Sequence, residues 1–93
     1  MRESDVEKHL VKRVKELGGE CRKVQWIGRK GAPDRLVMLG QFGKPAAIWV
    51  ELKAPGEKPK PHQMREHLRM RELGQCVRVI DSIEGVEELF GKD

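Results

Sequence analysis

The chain is predicted to adopt an α/β fold, a mixed four-stranded sheet flanked by helices, in the order α-β-β-β-α-β-α. Three observations lead there. Apolar residues recur at helical spacing in two long segments, three strand-like segments between them are separated by glycine- and proline-bearing turns, and a further apolar run follows the second long helix. The two turns imply antiparallel neighbours, and the helical crossover implies a parallel one.

Ser4 and Asp5 suit the start of the first helix, with Glu7 three residues after Ser4 as in a capping box. Val6, Leu10, Val14 and Leu17 then mark one face of a helix that Gly18-Gly19 ends. Glu20 to Ile27 alternates loosely and reads as a strand. Gly28 to Pro33 breaks both periodicities and is a loop. Leu36 to Leu39 suits a second strand, ended by a turn from Gly40 to Gly43. Ala46 to Lys53 forms a third, apolar enough to lie centrally. Ala54 to Pro61 is a polar, proline-rich loop, and Pro61 fits the first position of a helix that reaches Leu73. Val77 to Ile80 supplies the fourth strand, and Ser82 caps a short last helix.

Ninety-three residues are one domain's worth of chain, with a core small enough that a partner subunit would help. Nineteen Lys and Arg against fifteen Asp and Glu leave a net charge of +4, too small to identify a nucleic-acid binder by itself. The distribution says more: cations dominate from Arg22 to Arg71, whereas the last ten residues hold Glu84, Glu87, Glu88 and Asp93. Cys21 and Cys76 form no paired motif and are expected reduced. With no long apolar stretch and a polar start, the expectation is a cytoplasmic protein without membrane contact.

The chemistry-bearing residues gather around the third strand. Alternation puts Glu51 and Lys53 on one face with Trp49, while Ile48, Val50 and Leu52 point to the other. If the second and third strands pair as a hairpin, Asp34 at the start of one comes close to Glu51 near the end of the other. Two neighbouring carboxylates repel unless a cation lies between them, which makes Mg²⁺ a natural resident. Such an ion lowers the pKa of a water and offsets charge on a phosphate, and Lys53 can orient the water or neutralise the phosphoryl group. A Glu-Leu-Lys triplet or an Asp after a turn is, by itself, more often structural; their joint placement is what points to a site. Arg29, Lys30 and Arg35 flank it as candidate phosphate binders, and Lys58, Lys60 and Arg65 form a candidate basic flap. Trp26 and Trp49 are expected to pack rather than stack on bases. His9, His62 and His67 lack zinc spacing. Phe42, Met64 and Met70 are expected to pack in the core by default, with a subunit contact as the alternative for any that are exposed.

The string Gly31-Ala32-Pro33-Asp34-Arg35, followed seventeen positions after Asp34 by Glu51-Leu52-Lys53, resembles the PD-(D/E)XK nuclease core. With a leading helix glutamate and Gln63 after the proline-rich loop, it resembles the VRR-NUC group, particularly its small stand-alone members from phages and bacteria. The resemblance implies a restriction-endonuclease-like fold with Asp34, Glu51 and the Leu52 carbonyl as ligands of Mg²⁺ or Mn²⁺. Lys53 would be the catalytic lysine, Glu7 would hold the metal or its waters, and Gln63 would help position the lysine, a water or phosphate. Glu3, one turn before Glu7, is the other candidate for the helix glutamate. By the same resemblance the chain would act as a homodimer on branched DNA, like a Holliday-junction resolvase. Flap or exonuclease activity with the same site, or a non-catalytic nucleic-acid-binding module, are the alternatives, and RNA stays open as a substrate.

Overall fold

The computed structural model describes residues 1–40 and 44–91, so Phe42, Gly43 and Asp93 of the sequence reading lie outside the described residues. Seven elements run in the expected order: α1 (Glu3–Glu16), β1 (Glu20–Lys23), β2 (Arg35–Met38), β3 (Ile48–Leu52), α2 (Pro61–Glu72), β4 (Cys76–Ile80) and α3 (Ile83–Glu88). The sheet order is β1-β2-β3-β4, with β1–β2 and β2–β3 antiparallel and β3–β4 parallel.

α1 starts two to three residues earlier than a cap at Ser4 or Asp5 would place it. Its cap is Arg2, whose backbone N–H donates to Asp5 Oδ2 at 2.8 Å, so Asp5 acts from within the first turn. Val6, Leu10 and Val14 on one stripe are fully buried, each contributing roughly 1.5–3 kcal/mol of hydrophobic stabilisation. They pack with Val37, Ile48, Val50, Leu52 and Ile80 from the sheet and Val86 and Leu89 from the chain's end. Ser82 caps α3, its Oγ accepting from the Gly85 N–H at 2.9 Å.

The other face of the sheet belongs to α2. Pro61 opens that helix as expected, and the Lys60 N–H donates to Gln63 Oε1 at 2.8 Å. Met70 is buried beneath it, whereas Met64 and Leu68 are exposed. Trp26 and Trp49 pack with ring centroids 5.2 Å apart, and their indole N–H groups donate to Pro33 O and Gln75 Oε1. β1 is shorter than its sequence pattern, because β2 begins only at Arg35 and the last rung beyond it is a single bond from Val24 N–H to Asp34 O. Trp26 and Ile27 therefore fall in the loop between β1 and β2. No helix among the described residues is long and apolar enough to cross a membrane.

Candidate active site

β2 and β3 pair with Arg35 opposite Val50 and Leu36 opposite Trp49. One step further along the same register, Asp34 stands across from Glu51. Hairpin geometry thus delivers one carboxylate from the end of a loop and the other from a central strand. Lys53, one residue past β3, is held by its backbone N–H donating to Ile80 O at 2.9 Å.

Glu51 is only 12% exposed at its side chain, and three nitrogen-bearing side chains approach it. Gln63 Nε2 donates to Oε2 at 3.3 Å, Lys53 Nζ lies 4.0 Å from the same oxygen, and His67 Nε2 lies 3.4 Å from Oε1. The amide of Gln63 has no freedom to turn round, since its oxygen is already taken by the Lys60 N–H. Gln63 and His67 are four residues apart, so a single face of α2 lies against both oxygens of the carboxylate.

Burial pushes the Glu51 carboxyl up to about 7; the Lys53 charge opposes this, while the charges of Asp34 and Glu3 add to it. Negative charge is thus under-compensated at this spot. Burial, then the Arg71 charge, hold the His67 imidazole below its ordinary range, which leaves it neutral near pH 7. His67 Nε2 is the one buried side-chain polar atom among the described residues without a close hydrogen-bond partner.

The structure brings together Asp34, Glu51, Lys53 and Gln63, while Glu7 is paired with Arg35, the residue after Asp34. Nε and Nη2 of Arg35 both donate to Glu7 Oε2, at 2.9 and 2.6 Å. Glu3, one turn earlier and roughly 6 Å along the helix axis, is the α1 carboxylate whose charge reaches Glu51. Among the described residues no three acidic, histidine or cysteine side chains are gathered as a ready-made metal cluster.

The flanking cations divide into two sets. Arg35 is committed to Glu7, and Arg29 Nε donates to Glu66 Oε2 at 3.0 Å, a carboxylate whose side chain is 9% exposed. Lys30, Lys58, Lys60 and Arg65 are exposed and form no ion pair among the described residues. An open cleft of about 610 Å³ lies beside Asp34, lined by Lys23, Val24, Gln25, Trp26 and Arg29.

The sequence reading passed over His67, asking whether it had zinc spacing. Its place four residues after Gln63, on the same helical face, was the available signal.

The mixed sheet, with an aspartate and a glutamate facing each other across its central hairpin and a lysine two residues on, defines the class of restriction-endonuclease-like folds. No family model matches the chain. It is 54% identical over 82 residues to "Putative nuclease p44" of Acyrthosiphon pisum secondary endosymbiont phage 1, covering 88% of this chain and 85% of that protein. It superposes on a solved VRR_NUC domain with a TM-score of 0.82 and 42% identity, covering 95% of this chain and 92% of that one. The chain belongs to the VRR_NUC family and is a nuclease of that type.

Proposed function

We propose that this nuclease is a Mg²⁺- or Mn²⁺-dependent endonuclease that hydrolyses the phosphodiester backbone of branched DNA as a homodimer in the cytoplasm, in the manner of a Holliday-junction resolvase. The observation that carries the reading is the facing pair Asp34 and Glu51, the latter held largely away from water, with Lys53 beside them.

The donor set fits the ion. Two carboxylates and the Leu52 carbonyl are hard oxygen ligands, and Mg²⁺ keeps several waters rather than demanding an all-protein cage. When bound, the ion would activate a water and offset charge on the phosphate. The chain's own groups do the rest. Gln63 donates to one oxygen of the Glu51 carboxylate and His67 lies beside the other, so the orientation of the carboxylate is supported before substrate arrives. Lys53, held in a largely buried position, places a positive charge where the phosphoryl group gains negative charge. Glu3, whose charge reaches Glu51, stands beside Glu7 as a candidate for the helix carboxylate that would hold waters at this site.

Substrate backbone would run over the unpaired cations Lys30, Lys58, Lys60 and Arg65. Arg29 and Arg35 would act indirectly, through the carboxylates they hold. The homodimer follows from the family resemblance, and exposed Met64 and Leu68 on α2 offer apolar surface for it. Two sites related by a two-fold axis suit the opposed strands of a four-way junction.

The test is cleavage of a labelled four-way junction beside flap, splayed-arm and linear duplex DNA and single-stranded RNA, with Mg²⁺, Mn²⁺ or EDTA. Paired nicks in the junction that need the ion and vanish in Asp34→Ala are expected. Cleavage that survives EDTA or Asp34→Ala would overturn the site; a preference for flaps, free ends or RNA would overturn the substrate.

A further inference from the structure

The loop from Gln25 to Pro33 carries Asp34 at its downstream foot, and it is braced on every side except its tip. Val24 N–H and Asp34 O close it at 2.9 Å. Trp26 Nε1 donates to Pro33 O at 2.7 Å, and its ring rests on Trp49. Arg29 ties the far side to the buried carboxylate of Glu66 on α2. Gly31 sits so close to α2 that a Cβ there would stand 2.9 Å from His62 O. Between the Trp26 and Arg29 braces stands Ile27, 95% exposed.

A lone exposed aliphatic side chain is ordinary on a protein surface. Ile27 differs in three ways. Its neighbours are fixed, so the fold itself holds a whole isoleucine out in water, forgoing the stabilisation of burying it. Lys23 and Lys30 lie on either side of it in the chain, both exposed and without ion pairs among the described residues. The same loop borders the cleft that opens on Asp34. An apolar tip flanked by cations and continuous with a phosphodiester-cutting site matches stacked bases between phosphates better than it matches another protein surface.

We propose that Ile27 is a wedge that inserts between bases at the branch point of the DNA substrate and unstacks them, so that the strand beside it is led to Asp34. This rests on the nuclease reading above. Apolar side chains placed between base steps kink and open a duplex. Unstacking costs least where pairing or stacking is already interrupted, so such a wedge favours a branch over continuous duplex. It gives a small nuclease a means of selecting branched DNA from within its own fold.

The experiment uses the full chain and a four-way junction carrying 2-aminopurine at the branch, a base whose fluorescence rises when it is unstacked. Ca²⁺ replaces Mg²⁺ during the fluorescence measurement. Wild type at saturation is expected to raise the signal several-fold, Ile27→Leu to keep the rise, and Ile27→Ser to lose it while melting at the wild-type temperature. A full rise with Ile27→Ser, or none with wild type, overturns the wedge. Cleavage by wild type in Mg²⁺ is scored separately. Cutting without a fluorescence rise removes the wedge and leaves the nuclease, whereas a rise without cutting retains the wedge and removes the catalytic reading.

Discussion

The two faces of the sheet are built to opposite rules. Toward α1 and α3, Ile48, Val50 and Leu52 meet Val6, Leu10 and Val14 in one apolar cluster. Toward α2, the same strand presents Trp49 and Glu51, met by Gln63, the buried His67 and the neighbouring Lys53. One strand therefore serves both stability and chemistry through its period of two. The dry face gains free energy from burial, and the wet face surrenders some by holding a carboxylate away from water. A nuclease of this size has a single sheet with which to do both.

The sharpest way to break the dry face is Leu10→Ala, at a site with no exposure. It is expected to lower unfolding stability by about 2–5 kcal/mol, read by urea or thermal melts. The wet face should respond with the opposite sign. Burial raises the Glu51 carboxyl from 4.5 to about 7, so between these values the folded protein holds a proton that the unfolded chain releases. Wild-type stability therefore falls as pH rises through that window and levels off above it. Glu51→Gln lacks the penalty: its gain should be absent below pH 4.5 and reach on the order of 2 kcal/mol at pH 8, measured without divalent metal. A flat difference across pH, or a loss at pH 8, would contradict the assignment. The smallest effect is expected from His67→Ala, which leaves one oxygen of Glu51 without its neighbour. Mn²⁺ affinity by titration calorimetry should fall about 10–100-fold, with part restored in His67→Gln. Unchanged affinity would make His67 packing alone.

The same contrast explains what could be read from the sequence. The dry face is periodic, so Val6, Leu10 and Val14 and the alternation of β3 announce themselves. Asp34 and Glu51 were also legible, because a hairpin register follows from two strands and a turn. Less legible was anything settled by a partner from a distant element. Trp26 and Ile27 look like strand residues until β2, their only partner strand, is seen to begin at Arg35. Glu7 and Glu3 share a helical face, and the choice between them depends on where Arg35 points. Arg29 looks like a free phosphate binder until Glu66, thirty-seven residues away, takes its Nε–H.

The close seat of Gly31 on α2 gives this arrangement a mechanical side. The helix that grips Glu51 through Gln63 also abuts the loop that carries Asp34, across a gap that admits a hydrogen atom and no carbon. Both carboxylates are thereby referenced to one rigid rod. The β2–β3 register sets the spacing of the two, and α2 bears on both sides of it. The helix works as a gauge block for the reaction centre, and the absence of a side chain at position 31 sets its tolerance.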